Sequence, residues 1–179
     1  CYGLKTVSFL GTVEDWCNLT FESNSDNPMY YATSLYLKNE SDEYYELTEL
    51  VVPNTVSQIG KYQFAGFENL TSVTLPDSVV TIEDNAFSNC TSLTNITIPD
   101  SVTSIGDYAF CNCSLLANIK FSENIKSIGK SAFDGCDSLI YNTYNNALYL
   151  GNSNNEYFIL VSVINNSFYF WNVYLRKTC

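Results

Sequence analysis

Seven cysteines, nineteen aspartates and glutamates and no histidine define the chemistry open to this chain. Without histidine there is no Ser-His or Cys-His nucleophile arrangement, and a thiol with no base beside it is poorly activated. A glycosidase needs only two carboxylates at the right separation. The adjacent acids Glu14-Asp15 and Asp42-Glu43, however, read as solvated polar loops. The acidic segment offers oxygen ligands for a weak calcium site but nothing like the D-x-D-x-D-G loop. Zinc favours Cys-x-x-Cys or histidine ligands, and the chain has only Cys111-x-Cys113. These residues predict no catalytic group, no cofactor and no metal.

The cysteines instead point to how the chain is built. Cys90, Cys113 and Cys136 stand 23 residues apart, and Leu47, Leu70, Leu93, Leu116 and Leu139 recur at the same interval. Four complete copies run over 47–138: LTELVVPNTVSQIGKYQFAGFEN, LTSVTLPDSVVTIEDNAFSNCTS, LTNITIPDSVTSIGDYAFCNCSL and LANIKFSENIKSIGKSAFDGCDS. No insertion or deletion separates them. Each copy carries several short apolar rows that it cannot bury alone. Stacked in register at about 4.8 Å, the rows become continuous ladders: Leu50, Val73, Ile96 and Ile119 in one, and Phe64, Phe87, Phe110 and Phe133 in another. At roughly 1.5–3 kcal/mol per buried large apolar side chain, stability grows with each copy and is set by nearest neighbours. Cys1, Cys90, Cys113 and Cys136 share one repeat position and are expected as a buried ladder of free thiols. In-register side chains point in parallel, which suits a disulfide poorly.

The L-x-x-L/V/I-x-L/I/V opening matches the strand of a leucine-rich repeat. The whole unit, with PDSVTSIGDYAFCNC as its second half, resembles the BspA-like leucine-rich repeat family. The proline, the Ile-Gly pair, the Ala-Phe pair and the cysteine recur together. Each is missing once: Ser122 replaces the proline, Glu83 the glycine, Gln63 the alanine and Phe67 the cysteine. The resemblance implies a mainly β leucine-rich repeat solenoid, its parallel strands stacked in a right-handed coil with short helical or 3-10 turns on the opposite side. Family members are typically found in large secreted or surface-attached proteins of bacteria and some parasitic protists, where they mediate adhesion and protein binding. It therefore implies a non-catalytic, extracellular or cell-surface module.

Composition sets further bounds. The apolar share of 46% in 179 residues suits one folded domain. A net charge of -11 argues against nucleic acid as a partner, because phosphate binding draws on clustered Lys and Arg. Apolar runs are too short to span a bilayer, so no membrane insertion is expected. Cys1 precedes Leu4 as Cys136 precedes Leu139, which reads as a fragment of a longer array opening near the end of a repeat.

The chain then divides into four parts. Leu4, Val7 and Phe9 mark a partial repeat over 1–15. Residues 16–46, rich in Asn, Ser, Asp and Tyr, read as an irregular insertion or degenerate turn bulging from the coil, with a turn at Asn27-Pro28 and a strand in TSLYLKNE. The regular repeats fill 47–138. In 139–179, apolar runs from Ala147 to Leu150 and Tyr157 to Val163 predict a hairpin around Gly151 to Asn155. The aromatic tail from Asn165 to Cys179 is either a strand on the last turn or an end with no settled place.

Two surfaces are candidates for binding. Strand positions three and five point outward: Glu49 and Val51, Ser72 and Thr74, Asn95 and Thr97, Asn118 and Lys120. That face is small, polar and nearly uncharged. Hot spots favour Trp, Tyr and Arg, and these lie in or beside the insertion: Trp16, Tyr30, Tyr31, Tyr36, Tyr44 and Tyr45. They either bind a protein or glycan ligand on a host cell or extracellular matrix, or seal the coil beneath. A spacer with no ligand of its own is the competing role. Asn-x-Ser/Thr triplets at Asn18, Asn39, Asn69, Asn89, Asn95, Asn112 and Asn165 follow from a composition rich in these residues.

Overall fold

The repeat's apolar rows become two parallel sheets. A computed structural model of the chain describes residues 4–39, 41–122, 124–144, 147–150 and 159–163. Cys1, the loop at 151–155 and the tail with Cys179 lie outside them. The chain-order strands are β1 (Thr6–Ser8), β2 (Ser34–Lys38), β3 (Tyr44–Glu46), β4 (Glu49–Val51), β5 (Gln58–Ile59), β6 (Ser72–Thr74), β7 (Thr81–Ile82), β8 (Asn95–Thr97), β9 (Ser104–Ile105), β10 (Asn118–Lys120), β11 (Ser127–Ile128), β12 (Asn142–Tyr144), β13 (Ala147–Leu150) and β14 (Ile159–Val163). Strands β4, β6, β8 and β10 form one parallel sheet, and β5, β7, β9 and β11 form a second. Leu50, Val73, Ile96 and Ile119 lie in register across the first, and Ile59, Ile82, Ile105 and Ile128 across the second. This is a β-solenoid with the register that the 23-residue period predicts.

Between the sheets the phenylalanine ladder is fully buried and stacked face to face, with ring centroids 5.4, 5.4 and 5.5 Å apart from Phe64 through Phe133. The thiols form the neighbouring column. Cys90, Cys113 and Cys136 are free and buried, and each Sγ donates to the carbonyl of the phenylalanine one copy back: Phe64, Phe87 and Phe110 at 3.2, 3.2 and 3.1 Å. The thiol thus adds a donor to a carbonyl in an apolar interior, at Phe87 and Phe110 beside the amides of Cys90 and Cys113 that the same oxygens accept.

On the side away from the first sheet, where short helical or 3-10 turns were expected, the regular copies carry turns closed by bonds three residues back, such as Ala65 to Tyr62 and Ser88 to Asn85. Two residues per copy sit at positive φ: Tyr62, Asn85, Tyr108 and Ser131, then Gly66, Asn89, Asn112 and Gly135. Left-handed residues four apart break the helical pattern. One amide between them turns to the next copy, as Phe64, Phe87 and Phe110 donate to Ala86, Ala109 and Ala132 at 2.8 Å each, while Ala65, Ser88 and Cys111 donate three residues back, to Tyr62, Asn85 and Tyr108.

The helical turns fall in the N-terminal part. Helix α1 (Val13–Cys17) opens with a capping box between Thr12 and Asp15, and 3-10 turns follow at Asn24–Asp26 and Pro28–Tyr30. Here the insertion reading of 16–46 gives way to the degenerate turn. Strand β2 pairs parallel and in register with β1, Val7 opposite Leu35, and Ala32, Leu35 and Leu37 are buried in the common core. The stretch is therefore another turn of the coil, 28 residues from its partner and with Ala32 where a leucine is expected. Strand β3 returns antiparallel along β2 and ends this separate N-terminal sheet of β1, β2 and β3. At the other end β13 pairs antiparallel with both β12 and β14, the hairpin that the apolar runs predict.

Candidate functional site

The candidate aromatics are positioned by a buried polar clamp. Asn27 is fully buried; its Oδ1 accepts from the Met29 amide at 2.9 Å, and its Nδ2 donates to the Tyr62 carbonyl at 2.7 Å. The clamp pins the Asn27-Pro28-Met29 turn to the first regular copy and buries Met29. Tyr30 and Tyr31 follow at once and stand outward, 58% and 42% exposed, with their rings edge to face at 4.9 Å. Ala32 then re-enters the core.

A second pair of tyrosines sits on β3. Tyr44 lies opposite Lys38 and Glu46 opposite Tyr36, so these side chains share one face, while Tyr45 lies opposite Leu37 on the other. The Lys38 ammonium lies 5.3 Å from the Tyr44 ring centre, a cation–π contact, and also pairs with Asp42. The β2–β3 turn is built by Asn39, whose Oδ1 accepts from the amides of Ser41 and Glu43, both at 2.9 Å. Tyr44 and Tyr45 are 48% and 40% exposed, and Tyr36 is half-buried. Asn69 joins this face to the regular repeats through Ser34 and Glu46, at 3.1 and 2.8 Å. Bonds from Ser34 and Asn69 hold the Glu46 carboxyl below its ordinary range.

Trp16 does not belong to this surface. It is 1% exposed, its Nε1 donates to the Gln63 carbonyl at 2.9 Å, and its ring packs against Phe9, Phe21 and Phe67. Burial of the largest apolar side chain in the segment closes the first turn of the core, so Trp16 is corrected from ligand contact to core.

The expected outward row faces outward. Glu49, Thr74, Asn95, Thr97, Asn118 and Lys120 are exposed and Ser72 is half-buried. Ser72, Thr74, Asn95, Thr97 and Lys120 line a shallow groove of about 590 Å³ with Asp77 and Asp100 at its corner. Hydroxyls, amides and carboxylates dominate it, and its one aromatic, Phe121, is buried.

Sequence reasoning passed over two residues that hold the candidate surface in place. Gln63 and Phe67 look like lapses from the repeat, yet both contact the N-terminal turn. Gln63 is buried and its Nε2 donates to the carbonyls of Trp16 and Leu19 at 2.6 and 3.2 Å. Phe67 packs edge to face on Trp16 and Phe64. The signal was their coincidence: both departures fall in the one copy that meets an irregular neighbour.

The thiols are poor nucleophiles here. Burial pushes the Cys17 thiol up to about 11, and a hydrogen bond to Cys113, with burial, pushes Cys136 up as well. Among the described residues no three of His, Cys, Asp and Glu converge as metal ligands, and no helix is long and apolar enough to cross a membrane.

Stacked parallel strands, an in-register apolar ladder and a leucine opening each copy define a leucine-rich-repeat solenoid. Residues 37–158 match the BspA type leucine rich repeat region in six copies, and the chain belongs to that family. It is similar to the crystal structure of a leucine-rich repeat protein from T. pallidum, with 34% identity over 51% of this chain and 43% of that one, at a TM-score of 0.50. It is also similar to a leucine-rich repeat protein from Bacteroides ovatus, with 29% identity over 78% of this chain and 30% of that one, again at 0.50. The chain thus spans less than half the length of these solved structures. No curated protein matches it.

Proposed function

We propose that this chain is a non-catalytic binding module of a secreted or cell-surface protein, taking a protein or glycan of a host cell or extracellular matrix through Tyr30, Tyr31, Tyr44 and Tyr45. The observation that carries the reading is the exposure of these four tyrosines, one pair after the turn that Asn27 clamps to the Tyr62 carbonyl and the other on the β2–β3 hairpin that Asn69 ties in through the Ser34 and Glu46 side chains. Tyrosine presents a large contact area with few rotors, and a backbone already held in place loses little entropy on binding. Family membership supports the non-catalytic, surface-exposed setting.

The test replaces the four tyrosines by serine, singly and together, and measures attachment to a panel of matrix proteins, glycans and cell surfaces. Attachment should fall by about 2 kcal/mol at the dominant residue, with the circular dichroism spectrum and melting point unchanged. Wild-type protein that attaches to nothing on the panel would favour the structural spacer. That second reading draws on the strand face, whose Ser, Thr and Asn side chains carry no aromatic.

A further inference from the structure

The second sheet has an open edge facing a cleft. In the later copies the amides of Val80, Thr103 and Lys126 donate to Ser57, Val80 and Thr103 one copy back, and those of Glu83, Gly106 and Gly129 donate to Ile59, Ile82 and Ile105. Ser57 and Gly60 hold the same two positions in the first regular copy. Their amides have no acceptor among the described residues, because the preceding turn carries α1 there instead of a second strand. The chain from Cys17 to Glu22 stands off from β5, leaving a cleft of about 460 Å³ that Ser57, Gln58 and Gly60 line on one side.

We infer that this cleft takes an extended, cationic peptide segment of another protein, which adds as a strand to the edge of β5. Two unpaired amides on a strand edge are the main-chain half of such recognition. The walls supply the side-chain half. The buried Phe21 and Val56 and the exposed Leu19 give the cleft apolar lining, while Glu22 and Glu83 line it with two carboxylates. The single lysine there, Lys61, is paired at 3.5 Å with Asp84. The cleft is thus acidic on a chain of net charge -11, which favours a basic occupant over an acidic one. This site is separate from the tyrosine surface and does not depend on it.

The probe is a short synthetic peptide alternating lysine with valine, added to the full chain while amide hydrogen exchange is followed by NMR. The Ser57 and Gly60 amides should exchange freely alone and slow by about tenfold or more when the added strand accepts from them. Glu22→Lys with Glu83→Lys should weaken binding by about tenfold through lost cleft charge. Ser57→Pro should abolish it by removing one donor; should that variant unfold, the exchange and charge measurements still decide. The Tyr30, Tyr31, Tyr44 and Tyr45 serine variants should bind the peptide as wild type does. Unchanged exchange at millimolar peptide overturns the proposal, as does equal protection by a glutamate–valine peptide. Protection that rises with protein concentration in the absence of peptide also overturns it, because a second copy then covers the edge.

Discussion

Gln63→Ala sets the repeat pattern against the tertiary structure. Alanine is what the other copies carry, at Ala86, Ala109 and Ala132, all buried, so restoring it should stabilise by about 0.5–2 kcal/mol if consensus alone governed. The structure predicts the opposite sign. Gln63 Nε2 serves the Trp16 carbonyl at 2.6 Å inside the core and the part-buried Leu19 carbonyl at 3.2 Å. The Leu19 oxygen can recover water and the Trp16 oxygen keeps the Leu19 amide at 3.1 Å, so the lost bonds cost about 1 kcal/mol, and the vacated volume adds about 1 kcal/mol. The effect should stay local to the N-terminal turn, because a solenoid couples neighbour to neighbour. Cys17, partly buried on that turn, reports it. Peptide-resolved alkylation of Cys17 in native buffer should accelerate by about 30-fold for about 2 kcal/mol, while Cys113 keeps its wild-type rate. Wild-type labelling of Cys17, or a raised urea midpoint, would refute the reasoning and return Gln63 to a tolerated lapse of the repeat.

Phe110→Ala should cost about 3–5 kcal/mol, since Phe110 is fully buried between Phe87 and Phe133, whereas the exposed Thr97→Ala should stay within about 0.5 kcal/mol; urea midpoints compare them. A thiol count by mass under denaturing, non-reducing conditions should find Cys90, Cys113 and Cys136 all free, and in native buffer all three should resist alkylation. The depressed Glu46 carboxyl stabilises the fold fully above its ordinary value of 4.5, and that contribution disappears as the pH falls through the lower folded value. Glu46→Gln should therefore lower the melting temperature at neutral pH and lose that difference in acid, as a melting series from neutral to acid pH would record.

The coil itself was legible in the sequence because stacking in register asks each copy only to match its neighbour. An invariant period of 23 residues states that match without reference to anything distant. It places the phenylalanine ladder, the thiol column and the outward Ser, Thr and Asn rows at once. The strand at Val7, the strand in TSLYLKNE and the turn at Asn27-Pro28 were legible too, but the docking of residues 4–46 on the first copy was not, because it rests on single contacts between residues far apart in the chain. Trp16 meets Gln63 across 47 positions and Asn27 meets Tyr62 across 35. No period announces such pairs, and a side chain's burial there depends on what the other partner offers. The two candidate tyrosine pairs and the open edge of β5 follow from the same cause: the turn before the regular repeats is longer, helical and anchored at a few points. Only the folded chain decides which of its aromatics close the core and which face water.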